Sequence, residues 1–170
     1  MDFFTIDTIF GKRFYCFFII RLLNREIVSC NLTTNPTELF VKNQIIEFSS
    51  KVDQEKIYLI HDRDSAFSYI NYEHYGIKNV MTSVKAPNMN AFAERLVKSI
   101  RNEAFDWYVL FNETQIRNIL NEYITYYNSQ RPHQGIDQNI PQRSPPQIEG
   151  EIVAKKVLSG LCHHYHRKIS

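Results

Sequence analysis

The stretch HDRDSAF, residues 61–67, follows the apolar run IYLI directly and puts Asp62 and Asp64 on either side of one arginine. A carboxylate where a buried strand ends is most simply a turn residue. It can also be a ligand. Mg²⁺ takes oxygen donors, commonly one or two carboxylates, and keeps water and substrate phosphate for the rest of its shell. Two such ions ~3.5–4 Å apart can clamp the attacking and leaving oxygens of a phosphoryl transfer. Holding them takes about three acids brought together from different elements. Asp2, Asp62 and Glu94 are the candidates. Asp7 competes with Asp2, but the two are five residues apart and on a regular strand point to opposite faces.

The elements that must carry these acids follow from periodicity. DFFTIDTI (2–9) is aromatic and β-branched and reads as a strand, FGKR as a hairpin turn, and FYCFFIIRLL (14–23) as a nearly continuous buried strand. EIVSCNL (26–32) completes an antiparallel meander. A helix follows, with Asn35 as its cap, Pro36 in its first turn, Glu38 closing a capping-box pattern, and Val41, Ile45 and Phe48 as its stripe. KIYLIH (56–61) is a short buried strand ending at Asp62, and IKNVMTS (77–83) a weaker one after Gly76. Pro87 and Asn88 open a helix striped by Phe92, Leu96, Ile100 and Ala104. The last helix starts near Asn112, runs along Ile116, Ile119, Leu120, Tyr123, Ile124 and Tyr127, and stops before RPHQG (131–135). The tyrosines read as core. Residues 136–170 read as an extended Pro/Gln-rich arm and a short basic tail. This order predicts an α/β fold with a mixed sheet flanked by helices.

Composition limits the alternatives. The 170 residues are 44% apolar and 14% aromatic, a globular balance, and the net charge of +2 is too small to argue for a nucleic-acid partner by itself. Three widely separated cysteines, Cys16, Cys30 and Cys162, suggest a reduced, cytoplasmic protein without a disulfide framework. FYCFFII is too short to cross a membrane, and Asp2 and Asp7 interrupt the place where a signal peptide would carry basic residues. CHHYHRK (162–168) lacks the second ligand pair of a zinc site and reads as part of the basic tail.

Four blocks in this order, DFFTIDTIFGKRFY, HDRDSAF, NAFAERLVKSIRNE (90–103) and YYNSQRPHQG (126–135), resemble the catalytic core of the retroviral-integrase-like transposases of bacterial insertion sequences. The resemblance covers about residues 2–146. It implies an RNase H-like five-stranded mixed sheet and an Asp-Asp-Glu triad, matched here by Asp2, Asp62 and Glu94, that holds two Mg²⁺ or Mn²⁺ ions. It implies a polynucleotidyl transferase that cleaves and joins DNA at transposon ends and target, working as a homo-oligomer on DNA with no membrane partner. It places Asp64 as a turn or supporting residue and RPHQG as a structural block. The change in composition after residue 135 divides the chain into a core over 1–135 and the arm and tail over 136–170. The helix-turn-helix region that usually precedes such a core is expected to be absent, since only Met1 precedes Asp2. Asn90, Lys98 and Arg101 are the expected DNA contacts. Lys98 and Arg101 follow Glu94 at i+4 and i+7, and their own i+4 positions hold Asn102 and Phe105, not acids. Two readings compete with the transposase: a hydrolysis-only nuclease of the same fold, and a catalytically inactive remnant that binds DNA or a full-length transposase.

Overall fold

The computed structural model describes residues 1–52, 56–82, 91–143, 145 and 148–168. The chain divides into two compact units, Met1–Ile20 with Val28–Val97, and Arg21–Ile27 with Lys98–Ser170.

The first unit is built on strands β1 (Asp2–Asp7), β2 (Arg13–Ile20) and β3 (Ile27–Thr33), hydrogen-bonded in that order. β1 and β2 are antiparallel, with Asp2 opposite Phe18 and Asp7 opposite Arg13. Gly11, at φ 76°, lets the connecting turn close, and its N–H donates to the Thr8 carbonyl at 2.9 Å. Strand alternation gives β2 two apolar faces. Phe17 and Ile19 enter a core with Val41, Ile45, Leu59 and Phe67, while Phe14, Cys16 and Phe18 are buried from the opposite face. Phe3 stacks on Phe67 at 5.6 Å and meets Phe17 edge-on at 5.4 Å, so β1 enters the same core through an aromatic cluster.

Helix α1 (Glu38–Lys51) buries Val41 and Ile45 and leaves Phe48 half-buried, as its stripe predicts. Its cap differs from the expectation. Asn35 is used one turn earlier, where its N–H donates to Thr33 Oγ1 and its carbonyl accepts from Thr37 N. Thr37 is therefore the N-cap, and its hydroxyl oxygen accepts from Phe40 N at 3.3 Å.

β4 (Ile57–His61) and β5 (Ile77–Met81) pair in parallel. Between them lie the single helical turn α2 (Ser65–Ser68) and a 3₁₀ turn, Tyr72–Tyr75, ended by left-handed Gly76. The five expected strands are all present, but their ladders are three-stranded and two-stranded instead of one continuous five-stranded sheet. The Met1 nitrogen donates to the Ile60 carbonyl at 2.6 Å where β1 meets β4. A bond at the very start of β1 joins the ladders without extending either.

Helix α3 (Ala91–Glu103) divides between the units at Val97 and Lys98. Ala93, Leu96 and Ile100 are buried along it, as is Ala104 just beyond, with Phe92 half-buried. Its expected opening at Pro87 and Asn88 lies outside the described residues.

In the second unit, α4 (Glu113–Ser129) is capped by Asn112, whose side-chain oxygen accepts from Gln115 N at 2.9 Å. It buries Ile116, Ile119, Leu120, Tyr123 and Tyr127 and stops before RPHQG. The expected basic tail is instead an antiparallel hairpin of β6 (Glu151–Val157) and β7 (Cys162–Lys168). Val157 and Leu158 at its tip are buried, and Leu158 N donates to the Glu122 carboxylate of α4 at 2.7 Å. Burial of that tip gives the short, polar strands the packing that an isolated hairpin lacks.

Candidate active site

Asp62 sits one residue past β4, half-buried. Its carboxylate accepts from Asp64 N at 3.0 Å, which folds the backbone into a tight turn. Asp64 caps α2, accepting from Ala66 N at 2.9 Å, so it is the turn residue the sequence suggested. The support behind Asp62 is His61, a residue that sequence reasoning passed over although it immediately precedes the aspartate. It is fully buried, with Nδ1 2.5 Å from the Asp62 carbonyl and Nε2 2.5 Å from Asn79 Oδ1 on β5. Its ring stacks on Tyr72 at 5.6 Å and packs against Phe67 at 5.1 Å. The His61 carbonyl accepts from Thr82 N, and Arg63 Nε donates to the Thr82 carbonyl at 3.3 Å. The loop is thus pinned from behind while its carboxylate is left half-open.

Asp2 opens β1, held by the pairing with β2, and its Oδ1 accepts from Phe3 N at 2.7 Å. The Met1 nitrogen, next to Asp2, donates to the Ile60 carbonyl, two residues before Asp62. Burial pulls the Met1 ammonium down to about 6, and the negative charges of Asp2 and Asp62 both oppose that shift. Asp7 is at the far end of the strand in a bidentate ion pair with Arg13, at 2.7 and 2.9 Å.

Glu94 is exposed in the first turn of α3, whose lead-in over 83–90 lies outside the described residues. Among the described residues no three His, Cys, Asp or Glu side chains are grouped so as to hold a metal ion. The structure therefore brings Asp2 and Asp62 to one locus and does not gather Glu94 with them into a ligand set. The donor chemistry of the pair suits Mg²⁺ or Mn²⁺, hard cations that take carboxylate oxygens. Of the expected DNA contacts, Lys98 is exposed, Arg101 is half-buried, and Asn90 lies outside the described residues.

The RPHQG block does different work. Glu103 accepts from Arg131 Nε at 2.8 Å and Nη2 at 2.6 Å, and from the Tyr123 hydroxyl at 3.2 Å. His133 is buried against Tyr127, its ring edge-on at 4.3 Å. Its Nε2 lies 3.0 Å from the Tyr127 carbonyl and must donate there, leaving Nδ1 to accept from Arg131 Nη1 at 3.1 Å. Burial lowers the His133 pKa, in keeping with that neutral tautomer. Asn128 clamps Ile27, accepting from its N–H at 2.9 Å and donating to its carbonyl at 2.8 Å. Arg131 and His133 of the block are thus spent on structure.

A family model for the integrase core domain matches residues 75–141, a stretch containing Glu94, Lys98, Arg101 and RPHQG. The catalytic core domain of BIV integrase superposes with a TM-score of 0.59 at 12% identity, covering 82% of this chain and 88% of that one. Residues 75–141 thus resemble an integrase core domain, and the chain has the fold of an integrase catalytic core. The chain also superposes, with a TM-score of 0.62 at 10% identity, on a chain of the simian T-cell lymphotropic virus intasome in complex with PP2A regulatory subunit B56 gamma, covering 98% of this chain and 65% of that one. Its fold is RNase H-like, as the four sequence blocks imply. A curated relative, the transposase InsK for insertion sequence element IS150 of Escherichia coli (strain K12), is 26% identical over 126 residues. That alignment takes in 71% of this chain but 44% of the relative, so the chain spans less than half the relative's length. No helix among the described residues is long and apolar enough to cross a membrane.

Proposed function

We propose that this chain is the catalytic core of a transposase, cleaving DNA strands and transferring them to a target. The observation that carries the reading is the shared locus of Asp2 and Asp62, where β1 meets β4 behind a turn pinned by His61. The integrase-core match and the transposase relative support it.

In this reading Asp2, Asp62 and Glu94 hold Mg²⁺ or Mn²⁺. Bound there, two ions would activate the attacking water or DNA 3′-hydroxyl and stabilise the leaving oxygen. The protein's own contribution is positional. β-pairing fixes Asp2, the Asp64 N–H and the His61 ring fix the Asp62 turn, and α3 carries Glu94 on its first turn. His133 serves as no general base, since its Nε2 proton is committed to the Tyr127 carbonyl. Lys98, exposed on α3, contacts DNA phosphate, and the active species is a homo-oligomer on DNA. Contact with phosphate releases counterions, so Lys98→Ala should flatten the dependence of log affinity on log salt by about one unit.

The test is cleavage and joining of supercoiled plasmid and labelled oligonucleotides with Mn²⁺, comparing wild type with Asp62→Ala. Joined products from the wild type and a loss of at least ~10³-fold in the variant, about 4 kcal/mol of barrier, are expected. Cleavage without joining would favour the hydrolysis-only nuclease. Equal, background-level products from both proteins would favour the inactive remnant.

A further inference from the structure

Cys16 and Cys30 are separated by fourteen positions in sequence and have no part in the chemistry above, yet their Sγ atoms are 3.3 Å apart. They lie on neighbouring strands, Cys16 on β2 and Cys30 on β3. Cys16 is fully buried, whereas Cys30 is half-exposed. The geometry points to a modification site, a cross-strand thiol pair that an oxidised low-molecular-weight thiol converts to a disulfide. A disulfide bond is ~2.05 Å long, so closure needs the sulfurs to approach by about 1.2 Å, within reach of small side-chain rotations.

Exposure sets the order of events. A small-molecule disulfide such as oxidised glutathione meets Cys30 first. The Cys30 thiolate attacks one sulfur of the reagent, a mixed disulfide forms, and one glutathione leaves as thiol. The Cys16 thiolate then attacks the Cys30 sulfur and expels the second glutathione. Two protein thiols lose two electrons and two protons, and both end on two reduced glutathione molecules. The product ties β3 to β2, the strand that pairs with β1, at a residue lying opposite Phe4. The tie therefore falls on the sheet that carries Asp2, and the inference holds whether or not the transposase reading does. Cys162 serves as an internal control. Its thiol faces the Glu103 carbonyl at 4.0 Å, and burial raises its pKa, which disfavours the reactive thiolate.

The experiment is titration of the full reduced chain with oxidised glutathione, followed by intact mass, non-reducing peptide mapping and a thermal melt. The expected product is monomeric, lighter by two hydrogen atoms, with one Cys16–Cys30 cross-linked peptide and a Tm higher by roughly 5–10 °C. Cys162→Ser should behave like wild type, and Cys30→Ser should give no intramolecular cross-link. A lasting glutathione adduct on Cys30, a bridge involving Cys162, a disulfide-linked dimer, or two thiols still reduced in the folded wild type would each overturn the inference. The wild-type peptide map decides the matter even where a variant folds poorly.

Discussion

HDRDSAF and YYNSQRPHQG are both polar blocks on the edge of well-packed elements, and the structure treats them oppositely. In the second, charge and hydrogen bonds are spent inward. Glu103, Arg131, His133, Tyr123 and Tyr127 satisfy one another, and Asn128 closes on the Ile27 backbone. In the first, the bonds stabilise the turn and leave the carboxylate half-open. His61, Asn79 and the Asp64 N–H are committed to holding the turn, and among the described residues the Asp62 side chain accepts one bond, from Asp64. A buried polar network is stable when every member is paired, whereas a ligand must keep a lone pair in reserve. The difference separates a residue type that holds the fold from the same type held ready for chemistry.

The comparison breaks most visibly through Arg131. Arg131→Ala leaves the half-buried Glu103 carboxylate without its bidentate partner and His133 Nδ1 without its donor, so a loss of roughly 2–4 kcal/mol is expected. Urea denaturation measures it, and a loss no larger than that of a surface arginine would remove the network's structural role. Asn128→Ala orphans a buried N–H and a buried carbonyl of Ile27 and should cost roughly 2–3 kcal/mol in the same assay.

Metal sharpens the contrast from the other side. If the carboxylate pair is a ligand site, millimolar Mn²⁺ at ~100 times its Kd stabilises the fold by about 2.7 kcal/mol. Thermal melts should show the shift in wild type, Arg131→Ala and Asp7→Ala, and none in Asp62→Ala. An equal shift in Asp62→Ala would place metal elsewhere.

The effect of pH on the His133 network is smaller. Burial lowers the folded pKa of His133 below its ordinary value near 6.5, so folding favours the neutral ring. Its contribution is complete above that value. As pH falls below it, the unfolded chain takes up a proton more readily than the folded one, and stability declines until the folded pKa is passed. Denaturation midpoints from pH 7.5 to 5 should fall more steeply for wild type than for His133→Gln, and parallel curves would contradict the assignment. The smallest effect expected is from Asp7→Ala. Its exposed ion pair with Arg13 closes a hairpin already held by strand pairing, so the denaturation midpoint should stay close to wild type.

What the sequence determined by itself was local. The aromatic and β-branched runs of β1 to β3, the short apolar β4, the i, i+3, i+4 stripe of α4 with its start near Asn112, and the helix stop at Pro132 depend on residues within a turn or two of one another, and so they are legible as spacing. Asp64 as a turn residue belongs to the same class. Tertiary structure decided whatever joins distant residues. The Met1 nitrogen meets the Ile60 carbonyl, Glu103 meets Arg131, and Asn128 meets Ile27. No period records such pairings, because loop-closure entropy is repaid only after the surrounding elements have packed. The helix cap at Thr37 is local as well, but it turns on which of two neighbouring cap candidates is used, since Asn35 is bonded to Thr33. The β6–β7 hairpin was hidden for a related reason. Lys155, Lys156 and the histidines of β7 show little apolar alternation, and what holds the hairpin is the burial of Val157 and Leu158 and the bond from Leu158 N to Glu122, which lies 36 positions earlier in the chain.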